Sequence, residues 1–211
     1  SETWQAMNYT DLVAAAKAYA DRQDVEVDAN MDLFILMAES RINRVLKTRE
    51  QSTRIYTPTV TDQEYYPLPP DYVGMRNIQL NDGEPGPDNT DIPATLVTPE
   101  QLDIKRSTNP SGVYYSIVNS QIQICPIQEA GLTIELTYYQ KVPNLNRTNS
   151  ENWLSISHPD IYVSGVISEI EAFVKNYEVS KAWDGRMSRG IDELENTDML
   201  ERWAGSTMTT R

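Results

Sequence analysis

Residues 152–163 read NWLSISHPDIYV and hold the only histidine of the chain, His158. Two readings compete for this stretch. In one, His158 is a general base and Asp160 its orienting acid, a chemistry that also needs a nucleophile within hydrogen-bond reach. In the other, the stretch opens a helix. Pro159 suits the first helical position, where its missing N–H costs nothing. Asp160 suits the positive end of the helix dipole, and Ser157 with Asp160 has the spacing of a capping box. The second reading accounts for each of these residues, whereas the first leaves a base without a nucleophile. The stretch therefore predicts a helix start, not an active site.

Working outward, residues 161–178 (IYVSGVISEIEAFVKNYE) place Val163, Val166, Ile167, Ile170, Phe173, Val174 and Tyr177 on one apolar stripe, with Glu169, Glu171 and Lys175 outside it. Ser164–Gly165 inside this helix reads as a close-packing contact. Trp183, Met187, Ile191 and Leu194 continue at helical spacing. Gly185 and Gly190 each weaken a helix by about 1 kcal/mol, so a break near Asp184–Gly185 is expected. At the other end of the chain, Thr10 is the expected N-cap of an alanine-rich helix, and Asp28 that of a longer helix over residues 29–51. Phe34, Met37, Ala38, Ile42 and Val45 form its expected buried face. Its second half collects Arg41, Arg44, Lys47 and Arg49. Cations suit a helix C-terminus; the other reading makes these four residues candidates for a subunit interface.

Between the helical parts the composition turns to Thr, Tyr, Val, Ile and Pro. TRIYTPTV (53–60), EYYPLP (64–69) and GMRNIQLN (74–81) read as short strands. YYSIVNSQIQICP (114–126) reads as a hairpin turning at Asn119 and Ser120. GLTIELTYYQKV (131–142) puts Leu132, Ile134, Leu136 and Tyr138 on one strand face. Residues 81–93 (NDGEPGPDNTDIP) read as an exposed acidic loop. Neither helical part has a two-sided core alone, so the two are expected to pack together. The predicted fold is α+β, mainly α: a helical bundle of N- and C-terminal helices carrying an inserted antiparallel β domain. The expected divisions are 1–52, 53–142 and 143–211.

Composition excludes several functions. A net charge of −13 does not grip nucleic acid through its phosphates, although a surface of like charge lets DNA pass without sticking. Cys125 is the single cysteine, so no internal disulfide forms and a reducing compartment fits. No apolar run nears the roughly 18 residues of a membrane span, and SETWQAMNYTDL is not a signal peptide, so a soluble protein made in the cytosol is expected. Asp24, Glu26, Asp28 and Asn30 imitate the opening of a calcium loop. Ala29 then stands where glycine is needed, and Ile35 where the closing acid belongs. One His and one Cys cannot build a zinc site, and phosphate-loop and nucleophile-elbow motifs are missing. No cofactor, metal or catalytic residue is expected, and the chain is read as a non-enzyme.

The chain resembles the adaptor proteins of tailed bacteriophages, also called head-to-tail connector or head completion proteins. The similar text is NYTDLVAAAKAYADRQD (8–24), FILMAESRINRVLKTRE (34–50), YYPLPPDYVGMRNIQL (65–80) and the run from Thr137 to Val174. The resemblance implies a structural virion protein assembled in the bacterial cytoplasm. It would form a homo-oligomeric ring, dodecameric, at the head–tail interface. Such rings sit beneath the portal protein, extend the DNA channel and present a docking surface to tail, nozzle or tail-fibre proteins, with DNA passing unread and no membrane involved. The family's C-terminal segment reaches the portal, which here points to Trp203, Met208 and Arg211. Asp82, Glu84, Asp88 and Asp91 of the acidic loop are the candidate tail-docking residues. Other readings are a different neck or tail part, such as a tail terminator or tail-fibre adaptor, and a β-domain module binding glycans or peptides.

Overall fold

The structure is a computed structural model that describes residues 6–82, 91–108 and 111–203. The protein is α+β, and its chain divides into two compact units: residues 1–50 with 142–211, and residues 51–141.

The helical unit begins with α1 (Tyr9–Ala20), capped by Asn8 and not by Thr10. Asn8 Oδ1 accepts from the Asp11 N–H at 2.9 Å and the Asp11 carboxylate reaches back to the Asn8 N–H at 3.5 Å. Asp11 three residues on makes Asn8 the reciprocal cap. The single helix expected over 29–51 is shorter, α3 (Met31–Val45), and the expected cap Asp28 lies inside a separate short helix before it, α2 (Val25–Ala29). Asn30 separates them, its side-chain amide donating to the Glu26 carbonyl at 2.7 Å. The buried face of α3 is Met31, Phe34, Ile35, Ala38 and Ile42, whereas Met37 and Val45 are 44% and 55% exposed. The expected stripe was thus rotated, because Met31 and Ile35 extend the face on its other side.

Residues 152–163 hold the cap and the whole of α5 (Trp153–Ser157) and the start of α6 (Pro159–Phe173). Pro159 is at the first helical position and Asp160 in the first turn. The capping box is one helix earlier than expected. Asn152 Oδ1 accepts from the Ser155 N–H at 2.8 Å, and Ser155 Oγ accepts from the Asn152 N–H at 3.1 Å. Ser157 is the last residue of α5, and His158 links the two helices without a side-chain cap bond.

Helix α6 lies against α1, α3, α5 and α7 (Tyr177–Trp203) and is buried on most of its circumference. Glu171, expected outside the stripe, is buried and accepts from the Asn176 side-chain amide at 2.8 Å. Phe173 and Tyr177, expected on the stripe, are exposed, although the Phe173 ring still meets Phe34 with centroids 5.3 Å apart. Gly165 explains the close approach. A Cβ there would lie 2.9 Å from Met187 Sδ on α7 and 3.2 Å from the Ala38 Cβ on α3. Gly190 plays the same part from α7, its would-be Cβ 3.0 Å from Ile161 Cγ1. Helix α7 does not break at Asp184–Gly185. Burial of Met187 and Ile191 beside these contacts outweighs the intrinsic cost of two glycines. Nothing within 4 Å requires glycine at 185.

A buried polar network closes this unit. Glu39 and Asn43 stand one turn apart on α3. Asn43 Oδ1 accepts from the Val142 N–H at 2.8 Å, and Glu39 Oε1 from the Leu145 N–H at 2.6 Å. Tyr162 of α6 donates to the same Glu39 oxygen at 3.1 Å. The Asn152 amide donates to Tyr162 Oη at 2.7 Å and to the Pro143 carbonyl at 2.6 Å. Burial pushes the Glu39 carboxyl up to about 7, against the opposing pull of the Leu145 and Tyr162 donors. Burial first, then the neighbouring Glu39, pushes the Tyr162 hydroxyl far up as well.

The second unit is one seven-stranded sheet in the order β1-β7-β3-β4-β5-β6-β2. Its strands are β1 (Ser52–Pro58), β2 (Tyr65–Pro67), β3 (Tyr72–Asn81), β4 (Ile92–Leu96), β5 (Val113–Val118), β6 (Gln121–Cys125) and β7 (Thr133–Gln140). The β5–β6 hairpin turns at Asn119, which holds a left-handed φ of 57°. Tyr66 of β2, Ile78 and Leu80 of β3, Tyr115 of β5, Ile122 and Ile124 of β6 and Leu136 of β7 share one core. Strands from both ends of the order meet there, so the sheet curls over its own interior. The sheet is mixed and not antiparallel throughout, since β4 pairs with β5 in parallel. A helix the sequence reading missed, α4 (Pro99–Thr108), makes the return crossover that parallel strands require. Its start is a reciprocal pair, with Thr98 Oγ1 accepting from the Gln101 N–H and Gln101 Oε1 from the Thr98 N–H, each at 3.3 Å.

Two substitutions test this packing. Gly165→Val is expected to destabilise the protein by about 1–3 kcal/mol or more, because α3 cannot yield at Ala38; urea unfolding measures the loss. Glu39 gives a pH signature. Its folded-state value lies above the unfolded 4.5, so its contribution is full below about pH 4.5 and is lost as pH rises through 7. Glu39→Gln removes the titration. Its stability relative to the parent is expected to rise by about 3 kcal/mol between pH 4.5 and pH 8, read from denaturation at both pH values.

Candidate functional site

The sequence offered few chemical groups, and the structure does not gather them. His158 is half-buried between α5 and α6, its backbone N–H donating to the Leu154 carbonyl at 2.8 Å. Cys125 ends β6 in the other unit, buried, and burial pushes its thiol up, away from the reactive thiolate. Residues 24–30 form α2 and its flanks, and among the described residues no three or more His, Cys, Asp and Glu side chains cluster as a metal site. Glu39 has the raised value typical of a working acid. It is 2% exposed and bonded to a backbone N–H and a tyrosine hydroxyl, so it serves packing. Among the described residues no helix is long and apolar enough to cross a membrane.

The charged surface of the helical unit is more informative. Two of the four basic candidates on α3 and just after it, Arg41 and Arg49, pair through their side chains with acids of their own chain, and Lys47 meets one through its backbone N–H alone. Arg41 pairs with Glu169 of α6 at 3.1 Å and with Asp184 of α7. The Lys47 N–H donates to Glu195 at 2.9 Å. Arg49 reaches Asp198 through Nε at 2.7 Å and through its N–H at 3.1 Å, and its guanidinium also pairs with Glu201. Position 41 meets 184, 47 meets 195 and 49 meets 198, so the partners advance along α7 as the chain runs from α3 into the turn after it. This ladder went unread in the sequence because it joins residues about 150 positions apart.

Arg44 is exposed and has no ion pair among the described residues. It lies at a groove whose lining includes Val45, Met187, Ile191 and Asp192. Leu33, Leu36 and Met37 are each close to half exposed, on the α3 side turned away from the core. Arg44 thus continues an apolar helix face that its own chain leaves open.

The other candidates are placed as follows. Trp203 is the last residue of α7, while Met208 and Arg211 lie outside the described residues. Asp82 follows β3 and Asp91 precedes β4, so both flank the acidic loop; Glu84 and Asp88 lie outside the described residues. A different polar surface emerges on the sheet, where Arg54 of β1 pairs with Glu135 of β7 at 3.0 Å. Arg76 of β3 stacks over Tyr139 and donates to Ser52 at 2.8 Å. Its alternation of Arg, Thr, Asn and Tyr on outward positions was legible only once the strand register was known.

No curated protein matches the chain. The family model described as SU10 adaptor protein matches residues 7–211, both the helical unit and the sheet. Through that match the chain belongs to the SU10 adaptor protein family, a family of phage adaptors.

Proposed function

We propose that the protein is a structural virion component, an adaptor ring that joins the portal to the tail and extends the DNA channel at the capsid vertex. The family match over residues 7–211 carries this reading. The chain's own physics supports it. A net charge of −13 suits a channel wall along which DNA slides, since like charge prevents adhesion. The open α3 face, with Leu33, Leu36 and Met37 beside Arg44, suits contact with a neighbouring subunit. A face of one subunit meeting a different face of the next is the arrangement that closes rings.

In this reading the helical segments act as one bundle and the sheet as the inserted domain. Arg44 and Lys47 present charge to the next subunit, while Arg41 and Arg49 hold α7. Trp203, Met208 and Arg211 belong to the portal-facing end, and Asp82, Glu84, Asp88 and Asp91 to the tail-facing loop. The activity is mechanical and needs no turnover or cofactor.

Negative-stain imaging of the protein mixed with its portal is expected to show an added ring beneath the portal. A portal left bare at saturating protein rejects the reading. Reversal of Arg44 and Lys47 to Glu is expected to weaken ring closure about tenfold or more, read by sedimentation of assembled rings. Deletion of residues 204–211 is expected to reduce portal co-sedimentation while leaving the thermal midpoint within about 2 °C of the parent.

A further inference from the structure

The end of α7 carries a charge pattern that a helix opposes. Five acids fall between residues 192 and 201, namely Asp192, Glu193, Glu195, Asp198 and Glu201, and no cation does. Asp192, Glu195, Asp198 and Glu201 follow at three-residue spacing, where like charges are neighbours on the helix surface and repel. They also approach the negative end of the helix dipole.

Apolar packing gives out over the same turns. Met187 and Ile191 are buried and Leu194 packs against the same core. Position 198, next on that face, is an aspartate and only 7% exposed, while Met199 and Leu200 are 53% and 69% exposed. The contacts described above that hold these turns are polar: the Lys47 N–H on Glu195, and Arg49 on Asp198 and Glu201. Arg41 differs, because where it pairs with Asp184 the helix is also held by Met187 against Gly165. From Glu195 to Glu201 no apolar side chain is buried, and a helix end of that kind opens at low free energy, with an ionic tether on it screened by salt.

We propose that Arg49 is an ionic latch on the last turns of α7. Closed, it neutralises Asp198 and Glu201 and keeps residues 195–203 helical. It opens to a partner surface that presents its own cations to those two acids and covers Met199 and Leu200, which already stand exposed beside them. The identity of that partner as the portal rests on the adaptor reading; the latch itself is a property of the free chain.

Hydrogen exchange read by mass spectrometry on the full-length free protein tests it. Arg49→Met is expected to raise exchange over residues 197–203 about tenfold, with residues 183–191 unchanged. Arg49→Lys falls between the two, keeping the charge without the planar fork. Arg41→Met leaves residues 197–203 as in the parent. One molar sodium chloride opens the parent segment but does not raise exchange in Arg49→Met, where only the repulsion among acids is left to screen, and a soluble lysine-rich peptide at low salt opens the parent as salt does. Equal exchange in Arg49→Met and the parent, or a rise spread along all of α7, overturns the latch without touching the ring. A peptide without effect overturns the cationic partner. A failed portal experiment leaves the latch result standing.

Discussion

The helical unit depends on one buried carboxyl. This unit is made of two stretches of chain separated by 91 residues of sheet, 51–141, and something must hold the returning segment in register. Glu39 does so by accepting from the Leu145 N–H and from the Tyr162 hydroxyl, while Asn43 takes the Val142 N–H. Apolar burial alone lets a segment slide, because it is non-directional. Hydrogen bonds to a fixed pair of side chains do not. Asn152 extends the constraint, because the side chain that caps α5 also bonds Tyr162 and the Pro143 carbonyl. The cap of one helix, the rotation of the next and the path between them are therefore set together. Loss of any member leaves buried donors or acceptors unpaired, each costing about 1–3 kcal/mol.

That register has consequences some distance away. With α6 fixed by Tyr162, Gly165 comes to face both α3 and α7, and the missing side chain lets all three backbones close in. Gly190 repeats the contact from the α7 side. Two close approaches along one helix pair define its rotation as well as its distance. Only then do Asp184, Glu195 and Asp198 stand opposite Arg41, Lys47 and Arg49. The charge ladder is an outcome of the packing, which brings these acids within reach of Arg41, the Lys47 N–H and Arg49.

Much of this was legible in the sequence where the signal is local and periodic. The helix opening at Pro159 follows from residue chemistry at that point, and the β5–β6 turn from Asn119 beside Ser120. Gly165 was legible as a packing residue because a glycine inside a strongly apolar helix has few other uses. The misses have physical reasons. Asn8 and Asn152 were passed over as caps because Thr10 and Ser157, themselves residues suited to capping, stand close after them. Helix α4 begins with Thr98-Pro99-Glu100-Gln101, a capping box with proline at the first position, so its signal was present. It was masked by a mean composition that favoured strands, and with it the parallel pairing of β4 and β5 was lost. Glu39 and Glu171 could not be placed inside by any periodicity rule, since what pays for burying a carboxyl is a partner more than a hundred residues away or a local turn.

The four cations of α3 and the turn after it show where sequence reasoning on assembly stops and geometry takes over. A basic helix end in an acidic chain has two outlets, the acids of its own chain and those of a neighbour, and composition cannot choose between them. Here the choice differs by residue. Arg41 and Arg49 reach acids of α7, whereas Arg44, exposed at the groove that Met187, Ile191 and Asp192 also line, has no ion pair among the described residues. The three residues are chemically alike; their places on α3 and in the turn after it, and the rotation of α7, separate them. A cation that continues an apolar face and lacks an internal partner contributes most when another surface supplies both, because desolvation by that surface strengthens the charge pair while burying Leu33 and Met37. Assembly through this face is thus favoured by the same packing that pairs Arg41 and Arg49 inside the subunit.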